Sequence, residues 1–425
     1  MTLEENIKNN AECTTKEECP ATESDKTLTQ KSADVDVQSL PANLKSMDEG
    51  ELCDKDDDDE SYTPTVGERV WTVCVIAMGA LFLAACIVVE ICKHSMPFCE
   101  WIRNSVSSPL RIFSGYLTSW IPFSLGETLV VTLPFAIVWM LVFARHTLAR
   151  AVRSLVCIML AVASFVILSF LPLYSGKPVN LCMGFERTPV TESQVEYAYR
   201  YTVSNLNSML SKGLVSYTPD GFSVMPYTFK ELSDKVNSAY KKALESEEFS
   251  FLTDMDVPAK PIFLSEYMTY TGLSGVYTPF TGEANINTNF PDYVVAFTCA
   301  HEIAHQRGVA PEDECSFVAY AVLSQCDDPY LRYAANRYAL DYLQNARWMA
   351  DSNVWIEIMK STDGRILNES VAYTEFFEKY RDNTASDIAD VINDTSLKIN
   401  NQEHGIRSYG MMAELVTLYI CNNAS

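Results

Sequence analysis

Two hydrophobic patterns divide the chain. Residues 70–92 are almost continuously apolar, with Glu90 near the end as their one charge, and so are long enough to cross a hydrocarbon core of about 30 Å. Residues 129–144 form a shorter run that reaches spanning length when extended back to 123 or allowed to tilt, and residues 155–173 form a third. Beyond 173 the pattern changes to apolar positions at three- and four-residue spacing. It predicts amphipathic helices over 193–210, 228–244, 330–349, 371–380 and 406–419. Strand signals are confined to 261–264 and 275–287. The expected fold is therefore mainly α: a membrane region over 67–174 with three transmembrane helices, then a domain over 175–425 of α+β type with a small sheet.

Composition adds a third region. Residues 1–66 are rich in Glu, Asp, Lys, Ser and Thr and include the acidic run at 54–60, too little apolar surface to offset chain entropy, so a disordered tail is expected. The formal net charge of -23 argues against nucleic-acid binding, which needs Lys and Arg against phosphate. The 66 polar residues before the first apolar run, and the absence of a small-residue cleavage pattern after it, argue that this run is retained as a span and is not a cleaved signal. Arg145, Arg150 and Arg153 crowd the short connection between spans two and three, whereas Lys93, Arg103 and Arg111 are spread over a longer loop. The positive-inside rule then places the tail in the cytoplasm and the large domain outside it. The 13 cysteines are odd in number and lack paired metal spacing; Cys92 with Cys99, or Cys182 with another thiol, are the pairings this reading leaves open.

The chemistry concentrates in one helix. Residues 293–308 read as a helix that starts after Pro291 and Asp292 and ends at Gly308, a residue suited to a left-handed cap. On it His301 and His305 lie one turn apart on one face, where their imidazoles can share a zinc ion. Glu302 stands beside them, placed to take a proton from an attacking water and return it to a leaving amine. Only five histidines occur in the chain, so two at this spacing around a glutamate are improbable by chance. Flanking positions are uncharged except Arg307, which departs from the apolar preference of such helices.

A third ligand is sought among Glu312, Asp313 and Glu314, which also suit a helix start for their charge alone. Glu314 shares a helix face with Phe317, Val318 and Ala321 and is favoured, with Glu312 as runner-up. Glu283, Ala284 and Asn285 have the alternation of a strand that could hold a peptide by strand addition. Tyr409, His404 and Tyr277 are conceivable oxyanion donors.

The series PFSLGE at 122–127, PFTGEANIN at 279–287, HEIAHQRG at 301–308, EDE at 312–314 followed by Phe317, and SYG at 408–410 resembles the bacterial family called domain of unknown function 3810. The resemblance runs from about residue 70 to the end. It departs at Cys315-Ser316, where Ala-Asn is the expected pair, a change that leaves the metal ligands untouched. The resemblance implies a zincin-like HExxH domain, a multi-pass bacterial cell-membrane protein and a zinc metallopeptidase acting on a peptide or protein substrate. A membrane signalling or envelope-sensing protein with a structural or ligand-binding metal is the alternative. The motif lies about 130 residues past the last span, so the chemistry is expected in water and outside the bilayer.

Overall fold

The computed structural model describes residues 66–143, 147–350, 352–380 and 408–423. The chain divides into Met1–Thr63, which includes most of the expected acidic tail and lies outside the described residues, and Pro64–Ser425, which holds everything below. The described part is mainly helical, with two small sheets.

In chain order the first helices are α1 (Val66–His94), α2 (Met96–Ile102), α3 (Ser108–Ser119), α4 (Leu125–Phe143) and α5 (Leu148–Ser169). A π turn, Arg103–Ser107, joins α2 to α3, and a 3-10 turn, Leu171–Ser175, follows α5. After these come α6 (Val179–Cys182), α7 (Glu192–Ser211), α8 (Phe229–Ala243), α9 (Ser265–Thr269), α10 (Asp292–Gln306), α11 (Glu312–Gln325), α12 (Pro329–Ala350), α13 (Ser352–Ser361), α14 (Gly364–Glu378) and α15 (Ser408–Asn423). Strands β1 (Ser216–Tyr217) and β2 (Ser223–Val224) form one antiparallel pair. Strands β3 (Lys260–Pro261), β4 (Gly275–Thr278) and β5 (Glu283–Ile286) form a sheet in the order β3-β5-β4, with β5 parallel to β3 and antiparallel to β4.

Among the described residues three helices are long and apolar enough to cross a membrane: Gly67–His94, Leu125–Phe143 and Leu148–Ser175. The third begins seven residues before the apolar run does. Arg150 and Arg153 therefore lie inside α5 and not in a connecting loop, which their good helix propensity and long apolar stems allow. The stretch after α1, read as a loop, is helical. Pro97 and Pro109 each sit at a helix start, where the missing N–H costs nothing.

In the large domain, capping boxes start α7 at Thr191 with Gln194 and α8 at Thr228 with Glu231, which is why these two helices begin where the pattern places them. Helix α10 is buried all round, thirteen of its fifteen residues being inaccessible. It packs between β5 on one side and α8, α11 and α12 on the others. Phe297 stacks on Tyr338 with ring centroids 3.8 Å apart, a pair that contributes about 0.5–1.5 kcal/mol beyond its buried area. Arg307, the charged residue at its end, is also buried. It donates to Asn237 Oδ1 and the Thr253 carbonyl and lies over the Tyr240 ring, so its charge is spent inside the domain. Cys92, Cys99 and Cys182 are free thiols.

Glu283 ties the sheet to α4. Its buried carboxylate accepts from Lys260 Nζ of β3 and from the backbone N–H groups of Leu125 and Gly126, the first turn of α4. Glu127 reaches the other way and accepts from the Phe263 and Leu264 N–H groups. Replacing Glu283 by Ala strands a buried lysine and two helix-start donors, and is expected to cost about 3–5 kcal/mol of stability. In purified protein the melting temperature should fall and the Leu125 and Gly126 amides should exchange faster; unchanged exchange there would show that the carboxylate does not hold α4.

Candidate metal centre

The turn that ends α10 also sets one histidine. Gly308 has φ 101°, its N–H bonds to the His305 carbonyl, and Val309 N–H bonds to the Ala304 carbonyl, a Schellman closure. The Val309 carbonyl is thereby turned towards the helix and accepts from His305 Nδ1 at 3.0 Å. On the other histidine, Nδ1 meets the Ser316 hydroxyl at 3.0 Å. With both Nδ1 atoms engaged, both Nε2 atoms face a common point. The rings are 4.9 Å apart and nearly perpendicular.

Glu312 completes the group. Its Oε2 lies 3.0 Å from His301 Nε2 and its Oε1 lies 3.5 Å from His305 Nε2. Ligand atoms of these three residues all fall within 4.8 Å of one another, and the group could hold a metal ion. The spacing fits one: two ligands at 2.0–2.1 Å from a tetrahedral ion lie about 3.3 Å apart. The Glu312 side chain is 43% exposed against 14% and 6% for the histidines, so the group opens on the carboxylate side.

The preference for Glu314 is thus corrected in favour of Glu312. Glu314 points elsewhere, accepting from the Val179 N–H at 3.2 Å, and burial, reinforced by Asp313, pushes its pKa up to about 7. Asp313 pairs with Arg187 at 3.6 Å. The face argument failed because α11 is buried on nearly every side, while Glu312 is its first residue and its side chain projects back past the helix start towards α10.

The electrostatics suit a cation. The partial desolvation of the Glu312 carboxyl among its neighbours would raise its pKa, but His305 and His301 outweigh it and hold the pKa well below the usual range. Burial opposes protonation of His305, yet Cys315 and Glu312 raise its pKa well above the ordinary value. The space between the two imidazoles and the carboxylate thus favours positive charge. Cys315 Sγ approaches His305 from the Nδ1 side at 3.2 Å, behind the ring. The Cys315-Ser316 departure accordingly touches both histidines directly, although it changes no ligand.

Glu302 is 5% exposed, and its carboxylate lies against β4: a β-carbon built on Gly275 would fall 2.7 Å from Glu302 Oε1. Among the described residues Oε2 has no hydrogen-bonding partner. Burial raises its pKa, against the pull of the two imidazoles and the Tyr277 N–H. That N–H belongs to β4, an edge strand among the described residues, so the outer edge of β4 runs beside Glu302.

The strand proposed from sequence to receive a peptide, Glu283-Ala284-Asn285, is not an edge. It is the central strand β5, fully buried and paired on both sides, and Asn285 Nδ2 donates to Thr278 Oγ1 of its neighbour. Tyr277 meets the site through its ring, stacked 6.2 Å from His305, while its hydroxyl is buried and burial pushes its pKa up to about 12. His404 and the side chain of Tyr409 lie outside the described residues.

Phe170 is the residue that sequence reasoning missed. It follows the last residue of α5, and its ring lies 6.0 Å from His305 and 5.5 Å from Tyr277. About 130 residues separate the third apolar run from the motif in sequence, yet the end of that helix rests on the site. No local signal marks this contact.

These features define a class: a mainly helical chain with long apolar helices and an HExxH helix whose histidines meet a carboxylate from the next helix. A family model matches residues 103–417, and the chain belongs to that family, described as protein of unknown function (DUF3810). No curated protein and no solved structure matches the chain.

Titrating the metal-free protein with cobalt(II) should give one site per chain. Glu312→Ala should weaken it at least tenfold and Ser316→Ala about tenfold, while Glu314→Gln leaves it unchanged. Loss of the site in Glu314→Gln alone would reverse the assignment. Because His305 must give up a proton to a metal, uptake should release protons into a weakly buffered indicator solution, and affinity should fall as pH is lowered.

Proposed function

We propose that the chain is a membrane-anchored zinc metallopeptidase of the HExxH type with a zincin-like domain. The observation that carries this reading is the position of Glu302, held between the paired histidines and the outer edge of β4. Two imidazoles and one carboxylate are a ligand set that zinc favours, and three protein ligands leave a position open for catalysis. Zinc held by His301, His305 and Glu312 would supply Lewis acidity, polarising a peptide carbonyl and making water a better nucleophile at neutral pH.

The chain's own residues do the rest. The β4 edge offers backbone groups to an extended peptide, which would lie along the strand by pairing with it. Glu302 takes a proton from the attacking water and passes it to the departing amine, so that water is added across the C–N bond. Gly275 keeps the strand close, since any side chain there would collide with Thr298 and Glu302.

Three apolar helices support a membrane location. Arg150 and Arg153, in the first turns of α5, favour a cytoplasmic start for that helix and an extracytoplasmic site beyond its other end. The alternative, a sensing protein with a structural metal, is less well supported. A structural site closes with four protein ligands, and among the described residues the group has three, with a half-open carboxylate.

Purified protein should contain zinc, and His301→Ala should lose it. Glu302→Gln should keep the metal and lose peptide hydrolysis by a factor of about 10²–10⁴. Equal hydrolysis by Glu302→Gln and wild type would remove the catalytic role.

A further inference from the structure

The edge strand beside Glu302 does not stand free of the apolar helices. Its first residue, Gly275, lies against Glu302, and its last, Thr278, lies against Gly126: a β-carbon on Gly126 would come within 2.9 Å of the Thr278 hydroxyl. Gly126 is the second residue of α4, a candidate span. The turn after β4 is equally tied down. A β-carbon on Gly282 would fall 2.4 Å from the Gly115 backbone nitrogen of α3, and the Thr118 hydroxyl of the same helix donates to the Thr281 carbonyl.

Helix α3 has its amphipathicity reversed. Arg111, Ser114, Gly115 and Thr118 are buried against the domain, and Arg111 donates to the Ser169 carbonyl at the end of α5. The apolar residues face outward: Phe113, Leu117 and Trp120 are 62%, 57% and 77% exposed and follow one another at four- and three-residue spacing. A stripe of this kind, five residues before a candidate span, fits the boundary between headgroups and acyl chains. Phe263 is 91% exposed as well, and its N–H is held by Glu127 in the first turn of α4. On the other flank, Phe170 at the end of α5 lies on His305. The ends of α4 and α5 and the outward-facing α3 therefore converge on β4.

Resting on the peptidase reading of the site, we propose that the substrates are membrane-anchored polypeptides, cut in the extended segment next to their own span. A peptide paired with β4 covers it in four residues, about 13 Å, and leaves beside the first turn of α4 at the bilayer surface. Allowing as many residues again to reach the headgroups, the scissile bond lies within about eight residues of the substrate's span.

The test uses the full chain in lipid vesicles together with membrane proteins extracted from the expression host and, separately, the host's soluble proteins. New N-termini are mapped by mass spectrometry for wild type and Glu302→Gln. Cuts that depend on Glu302 should be at least tenfold more frequent within eight residues of a span than elsewhere. Comparable cutting of soluble proteins, or of sites far from spans, overturns the substrate assignment and leaves the peptidase reading standing. If no cut depends on Glu302, the peptidase reading falls and the substrate assignment falls with it. Binding is read independently by placing a photo-crosslinking residue at Val276 of β4, which is 43% exposed, in the Glu302→Gln chain. Adducts should map to segments flanking spans, and adducts confined to soluble proteins would overturn the assignment.

Discussion

A single buried carboxylate, Glu283, organises the region around the site. A fully buried charge is costly unless it is paired and fully hydrogen-bonded, and Glu283 meets that demand by drawing two elements to its own strand: β3 through Lys260, and α4 through its first two N–H groups. The register of the sheet against α4 follows from this. Once β5 is anchored, β4 must lie along its outer side, with Gly126 at one end and Glu302 at the other. The stretches at 122–127 and 279–287 are thus two halves of one junction, which is why they carry chemistry-poor residues around a glycine and an acid.

The parts legible in the sequence were those governed by local rules. Spacing put His301 and His305 on one face, and Gly308 marked the end of α10, because both depend on helix geometry alone. The hairpin at 275–287 was legible for the same reason. Its function was not, because which strand forms the edge depends on the parallel pairing with β3, some twenty residues upstream. Glu312 and Glu314 could not be separated by helical phase, since phase sorts faces along a helix and the deciding quantity was proximity to its start. Helix α3 was hidden by a reversed pattern: its polar side faces protein, and a reading that assigns polar residues to water sees a loop. Membership of the family over residues 103–417 came from motif order, which no single element displays.

The site shows how little separates a candidate metal ligand from a structural acid. Three consecutive carboxylates begin α11, and one meets two imidazoles, one meets Arg187 and one caps the backbone of Val179. Their environments drive their proton affinities apart, downward for Glu312 and upward for Asp313 and Glu314. The same separation appears between Glu312 and Glu302, where one acid is held ionised by the histidines and the other is kept basic by burial. Acid and base roles near neutral pH need that kind of divergence.

The contact of Phe170 with His305 bears on where this protein can be divided. Judged by hydropathy, a soluble module begins near residue 175, and a fragment starting there would look complete. Such a cut would uncover one face of His305, remove the helix on which the β4–β5 turn rests, and leave Glu283 without its backbone donors. The module is self-sufficient in composition and dependent in packing. Its smallest intact unit includes the apolar helices, so biochemical study of the candidate metal centre calls for detergent or lipid from the first step.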